Sequence, residues 1–358
     1  MTELSLSVLK SYPEFNHTCF VEDVIGGFKE RELKQRIAWI REQLFIYLPK
    51  KYPTALKIIL DSLPEELDPH LSDNDFGSFI IAPLSDYVAT YGCTNEYLDV
   101  SLQALKEITK RFSVEFAIRT FINTYPEETF IFLMACAVDD NYHVRRLASE
   151  GSRPSLPWAQ NIGYIPEQTF EILDLLFSDT TRYVTRSVAN HINDISKKDP
   201  DLVIKKFKEW KNFKKQNPQE MKYIIRHGLR TLVKKNNIQA LAMLGYKQAP
   251  PIVDTSLSLD AKKVAIGSSC KVLVSFSVLA DIKLLIMYEL TYAHPKRQSK
   301  KVFKVADGCY KKREQVMFSK KQSMNMMTTK TLHLGIYTIE LFINGVSYGS
   351  TSFELIAS

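Results

Sequence analysis

A chain of 358 residues exceeds one ordinary domain and has the length of two or three. Its apolar share of 45% is that of a globular protein, and no run of 18 or more apolar residues is present, which argues against a membrane span. The net charge of +7 hides an asymmetry: residues 1–140 hold 13 Lys and Arg against 22 Asp and Glu, residues 141–250 hold 19 against 10, and residues 251–358 hold 15 against 8.

Two basic blocks behind an acidic one suit a polyanion-binding face, or equally a solvated Lys-rich surface. The five cysteines, at 19, 93, 136, 270 and 309, are odd in number and lack metal-ligand spacing. They point to a reducing cytoplasm, with neither a zinc site nor a disulfide framework. The first 20 residues lack the basic start and apolar core of a secretory signal.

From about residue 29 to 245 apolar residues recur at helical spacing, as in 33–48, 96–112 and 126–140, with Pro, Gly, Asn and Asp between the segments. Three segments share a register of 40 residues: Val144 with Arg146, Val184 with Arg186, and Ile224 with Arg226. Helices at 126–138, 166–178 and 200–213 precede them and pair with them. A two-helix unit of this length predicts a HEAT-like α-helical solenoid with one concave face, although the register does not extend upstream of 141. Near residue 249 the texture changes at APPIVD. Val272, Val274, Phe276 and Val278 then share one parity, strand-like runs follow at 282–292, 300–306 and 336–343, and Asn344 with Gly345 signals a two-residue hairpin. Tyr337 sits where a tyrosine corner would place it. The expected architecture is a helical domain over 1–248 and an immunoglobulin-like β-sandwich without a disulfide over 252–358.

Candidate chemistry gathers around HVRRLASEGSRPSLPWA, residues 143–159. In the 40-residue register Asn190 corresponds to Glu150, and Asp194 lies one turn beyond Asn190. Glu150, Asn190 and Asp194 therefore converge on the concave side, among Arg145, Arg146, Arg153, Arg182 and Arg186. They form either a functional acid pair or acids merely neutralised by the arginines. Trp158, beyond a helix end and two prolines, is either an exposed stacking surface or a packing residue. Glu115, inside an apolar helix, is a desolvated acid or the partner of Arg119 at i+4. His143, His191 and His227 have no metal spacing, and no nucleophile elbow, phosphate loop or dinucleotide turn is present. No metal or organic cofactor is expected, and nothing calls for more than a monomer.

The central string, with ELKQRIAWI, DFGSFIIAP and TKRFSVEFAIRTFI before it and RSVANHINDISK after it, resembles the AlkC family of bacterial DNA alkylation-repair glycosylases. The match runs in order from about residue 30 to 235. The resemblance implies a HEAT-like fold related to the AlkD glycosylases, and the β-rich tail suggests the longer form with an immunoglobulin-like domain. It implies hydrolysis of the N-glycosidic bond of cationic bases, 3-methylcytosine and 3-methyladenine, in double-stranded DNA and without full base flipping, by a cytoplasmic, nucleoid-associated protein.

Under that resemblance Glu150, Asp194 and Glu115 act as catalytic carboxylates, Trp158 stacks on the sugar or the lesion, and Arg146, Arg153 and Arg186 contact DNA. The basic stretches 294–304, with Lys300 and Lys301, and 310–315 would close on the duplex from the other side. Two departures stand out. Ser155 replaces a larger or basic residue, and Cys136 replaces an aromatic one. The alternative reading is a non-catalytic DNA- or protein-binding scaffold, because a fold does not fix a function.

Overall fold

The computed structural model describes residues 1–68, 76–163, 166–294, 298–326 and 331–357. Two compact units divide the chain, Met1–Gly228 and Leu229–Ser358. The division falls upstream of the 248–252 junction expected from the change of texture.

The first unit opens with α1 (Thr2–Ser11), α2 (His17–Gly26), α3 (Leu33–Tyr47) and α4 (Tyr52–Asp61). It continues with α5 (Ala82–Tyr91), α6 (Leu98–Thr109), α7 (Ile118–Thr124) and α8 (Pro126–Cys136). The last members are α9 (Tyr142–Gly151), α10 (Pro166–Leu176), α11 (Arg182–Ile195), α12 (Pro200–Phe213) and α13 (Pro218–Gly228). Their starts follow local chemistry. Pro occupies the first turn of α4, α8 and α12, where a missing N–H costs nothing. The side chains of Asn16, Asn141 and Asp199 accept from backbone N–H groups that open α2, α9 and α12.

The 40-residue register is a structural one. Val144, Val184 and Ile224 fall on α9, α11 and α13, all fully buried, and these three helices pack successively against one another. The segment read as helical over 126–140 stops at Cys136. Beyond it Asp139 accepts from the Asn141 backbone and pairs with Lys106 at 2.6 Å, so a polar loop ends the helix. The helix expected over 166–178 ends at Leu176.

The second unit begins with two short helices, α14 (Arg230–Lys234) and α15 (Ile238–Met243). The strands follow as β1 (Ile252–Leu259), β2 (Lys263–Ala265), β3 (Ser269–Val278) and β4 (Ile282–Tyr292). After them come β5 (Ser299–Tyr310), β6 (Gln315–Ser323), β7 (Gly335–Ile343) and β8 (Val346–Ile356). Among the described residues one sheet has the order β1-β3-β6 and the other β2-β8-β7-β4-β5, with β2 parallel to β8. Val272, Val274, Phe276 and Val278 point into a core shared with Leu284, Ile286, Tyr288 and Leu290 of the facing sheet. Asn344 and Gly345 join β7 to β8 with φ of 49° and 82°, the left-handed values that a tight hairpin demands.

Strand β5 outlasts the expected 300–306, because Asp307–Tyr310 pair with the start of β4. The turn-forming residues Asp307 and Gly308 disguise this continuation, and ladder pairing overrides local preference. The Tyr337 hydroxyl donates to the His333 carbonyl at 2.9 Å, four residues upstream, as the corner motif requires. Tyr337→Phe should therefore lower the stability of this unit by about 1 kcal/mol, measured as a shift in the denaturant midpoint of the full chain at unchanged m-value.

Candidate active site

Helices α3, α9 and α11, the segment that leads into α7 and the turn after α9 line a cleft of about 430 Å³. The side chains of Phe76, Phe79, Phe112 and Phe116 deepen the expected concave face into a cleft. Glu115, Glu150, Trp158, Arg146, Arg153 and Arg186 all line it, as does Asn190. Asp194 stands behind them, 2% exposed and joined to the set through Arg153.

The acids are held in a definite pattern. Arg153 donates from Nη1 to Glu150 Oε1 at 2.6 Å and from Nε to Asp194 Oδ2 at 2.9 Å, so one guanidinium ties α9 to α11. Ser187 donates to Glu150 Oε2 at 2.6 Å, and Lys197 donates to Asp194 Oδ1 at 2.8 Å. Arg146 donates to Glu115 Oε2 at 2.9 Å and reaches Glu150 at 3.8 Å, while its plane lies over Tyr183 at 4.4 Å. Ser113 donates to Glu115 at 2.8 Å. Both functional and neutralising readings of the acids thus describe the same atoms: the carboxylates line or adjoin a cavity and are also paired.

The i+4 partnership of Glu115 with Arg119 does not form. Arg119 turns the other way, fully buried, and donates to the carbonyls of Gly151, Arg153 and Gln160 at 2.9, 2.8 and 2.7 Å. It thereby pins the segment that carries Trp158. Burial, with the nearby Arg153 charge adding to it, pushes the Arg119 pKa down to about 10. Trp158 is 76% exposed, the surface alternative and not the packing one. Its φ of 64° is left-handed, a conformation costly for a bulky residue, and Lys34 Nζ donates to its carbonyl.

Arg145 and Arg182 stand apart from the cleft, while Arg146 and Arg153 line it but face acids. Arg145 donates to Asp179 at 2.6 Å and to the Asp139 and Asp140 carbonyls, and Arg182 pairs with Glu220 at 2.5 Å. Arg146 and Arg153 are 6% and 7% exposed, with guanidinium groups directed at carboxylates. Cys136 is buried within α8, where no aromatic surface would reach a ligand. Asn190 Oδ1 lies 2.8 Å from His227 Nε2. Among the described residues no group of three or more His, Cys, Asp or Glu is placed to hold a metal ion.

The sequence reading missed Ser113, Ser187, Tyr183 and Lys34. Ser187 carried a signal, since it is a hydroxyl at the register position that Leu147 fills one repeat earlier. The others are brought in by tertiary packing alone.

Electrostatics keep the central acid charged. Burial works to raise the Glu150 pKa, but the Arg146 and Arg153 charges and the hydrogen bonds from Ser187 and Arg153 outweigh it and hold it below 4.5. Beneath it His191 is fully buried with Nδ1 at 2.9 Å from the Ser149 carbonyl, which only accepts, so Nδ1 carries the proton. Burial, reinforced by Arg153, pushes the His191 pKa down to about 4.

Fold and site together define a class: a stacked-helix protein with an arginine-locked carboxylate set under an aromatic cleft, followed by an immunoglobulin-like β-sandwich. Residues 253–357 match the family model described as "Uncharacterised protein YhaZ, C-terminal Ig-like domain". The chain is 34% identical to the Bacillus subtilis (strain 168) protein named "Uncharacterized protein YhaZ", covering 99% of this chain and 96% of the relative. The structure of the Pseudomonas fluorescens alkylpurine DNA glycosylase AlkC bound to DNA containing an abasic site analog matches with a TM-score of 0.87 and 31% identity, over 99% of this chain and 96% of that one. The chain belongs to the AlkC family.

Two stability effects follow from the site. Arg153→Ala leaves Glu150 and Asp194 buried without their shared partner and should cost about 3–5 kcal/mol, read by denaturant unfolding. His191 is neutral in the folded chain, so the unfolded chain takes up its proton first as pH falls. The stability it contributes is complete above pH 6.5 and is lost toward about pH 4, at up to about 1.4 kcal/mol per pH unit. His191→Gln should flatten the stability profile in that window, and an unchanged slope would remove His191 as its source.

Proposed function

We propose that the chain is a DNA glycosylase of base excision repair that hydrolyses the N-glycosidic bond of cationic alkylated bases, 3-methylcytosine and 3-methyladenine, in duplex DNA. The observation that carries this reading is Glu150, an acid 4% exposed and held ionised at the wall of an aromatic cleft.

A cationic base is a ready leaving group. The C1′–N bond breaks with its electron pair passing to the base, which departs neutral, and positive character gathers on the sugar. Fixed negative charge from Glu150 and Asp194, with Glu115 at the same cleft, stabilises that sugar. A water oxygen bonds to C1′ and yields its proton to a carboxylate. Because Arg146 and Arg153 already answer the acids, their role in this reading is to hold carboxylates in place, and phosphate contact passes to residues such as Arg186. The exposed indole of Trp158 offers a face to the sugar or lesion without full extrusion of the nucleotide. The 40-residue register of α9, α11 and α13 supports a HEAT-like reading of the helical part, functional over 1–248, with 252–358 as an accessory DNA-binding part. The protein would act as a monomer on nucleoid DNA in the cytoplasm and without a cofactor.

In the second unit Lys300 pairs with Glu289 at 2.7 Å, and Lys301 lies over Phe303 at 5.3 Å. Both stand on β5, and we assign Lys301 the stronger phosphate contact because its charge is not offset by Glu289. Pro295, Lys296 and Arg297 of the basic stretch 294–304 lie outside the described residues.

The deciding experiment incubates the protein with methylated duplex and measures released 3-methyladenine and 3-methylcytosine. Glu150→Gln should cut the excision rate by about 10²–10³ while duplex affinity stays nearly constant. Equal, absent release from both proteins would favour the scaffold alternative. Replacing Lys300 and Lys301 with Ala should lower the slope of log K against log salt by about 1–2, and an unchanged slope would take β5 out of the interface.

A further inference from the structure

Helices α4 and α6 hold a groove of about 630 Å³ between them, and none of its lining residues lines the candidate active site. Four-residue spacing builds its apolar lining. Leu56 and Leu60 stand one turn apart on α4, and Val100 and Ala104 stand one turn apart on α6. Leu56 and Ala104 are buried, whereas Val100 is 49% exposed. Valine is a weak helix former, and here it gains little burial in return. Pro53 and Tyr97 extend the same lining, so Val100 belongs to a continuous apolar face and is not an isolated surface residue.

The charged part of the lining is acidic. Asp61, Glu96, Asp99 and Glu107 stand against a single lysine, Lys57. Lys57 pairs with Asp61 at 2.5 Å, and Glu107 pairs with Lys110 at 2.9 Å and with Arg111 at 3.2 Å. Glu96 and Asp99 have no ion-pair partner among the described residues. Uncompensated carboxylates beside an apolar groove repel a phosphate backbone and favour a ligand that carries apolar and cationic groups together. Both walls are helices, so no sheet edge is present for an extended peptide to join. The lining runs from Pro53 to Asp61 along α4, about 12 Å of helix rise. That length suits about two turns of a helix laid in the groove, with apolar anchors at i, i+3 or i+4, and i+7.

We propose that this groove docks a basic amphipathic helix of a partner protein, its apolar stripe on Leu56, Leu60, Val100 and Ala104 and its lysines or arginines against Glu96 and Asp99. Apolar burial supplies the affinity, and charge supplies the orientation and the encounter rate. The surface is separate from the excision chemistry and does not rest on the glycosylase reading.

The test titrates the full chain into a fluorescent synthetic peptide of about 15 residues, with Leu at i, i+3, i+4 and i+7 on an Ala and Lys background, and reads anisotropy. A control peptide of the same composition scatters its Leu residues around the helix. Wild type should bind the patterned peptide about tenfold more tightly than the control. Replacing Glu96 and Asp99 together with Lys should weaken the patterned peptide by about tenfold. Val100→Asp should weaken it by about the same factor, although it adds negative charge, because it removes apolar contact. Melting temperature and circular dichroism identify folded variants, and the other variant decides where one fails to fold. Equal affinity of wild type for the two peptides, or a folded variant that matches wild type, overturns the proposal. A wild-type dimer in sedimentation that Val100→Asp abolishes also overturns it, because the groove then belongs to a second copy of this chain.

Discussion

The Arg153 guanidinium, shared between Glu150 and Asp194, is the constraint on which the rest of the site depends. Burying a lone carboxylate costs several kcal/mol, and only close, well-directed pairing offsets that cost. The cluster meets this with three acids, Glu115, Glu150 and Asp194, against Arg146, Arg153 and Lys197. Three formal charges of each sign balance, and Glu115 and Glu150 stand at the cleft wall beside Arg146 and Arg153. The arrangement keeps the buried Glu150 carboxylate ionised at the cleft wall, as a site needs if it is to answer developing positive charge.

Around that fork the backbone is organised to match. Helix α9 ends at Gly151, where an added Cβ would meet Ile118 Cγ2 at 2.6 Å, so α7 and α9 approach closely. Arg119 then gathers the carbonyls released by the helix end and fixes the path to Trp158. The left-handed Trp158 backbone is tolerated because Lys34 and the flanking anchors determine it from outside. The prolines at 154 and 157 limit the alternatives of the unfolded segment. An arginine-rich helix end, a buried cation and an exposed indole are therefore parts of one device.

The β-sandwich is simpler in physical terms. Its alternating apolar residues fill a two-sheet core, and its basic residues stand on strands where cross-strand acids such as Glu289 modulate them. Lys301 and Phe303 share a face of β5 through their i, i+2 spacing, but nothing in the strand pattern announced that Lys300 would pair with Glu289 of β4. Cross-strand register decides such partnerships, and a one-residue shift would have exchanged their faces.

The sequence by itself determined the order of helices then strands, the 40-residue register, the NG hairpin and the tyrosine corner, because periodicity and turn chemistry are local properties. It also marked Glu150, Asp194, Glu115 and Trp158 as candidate site residues, through residue type and the family string. It did not determine which arginine answers which acid. Glu115 at i+4 from Arg119 looked like a helical pair, and tertiary packing gave Glu115 to Arg146 and Arg119 to backbone carbonyls. The aromatic cleft and the Arg119 anchor of the Trp158 segment were likewise decided only in three dimensions. Each depends on side chains far apart in sequence meeting across helices, and spacing along one helix carries no record of what packs against it.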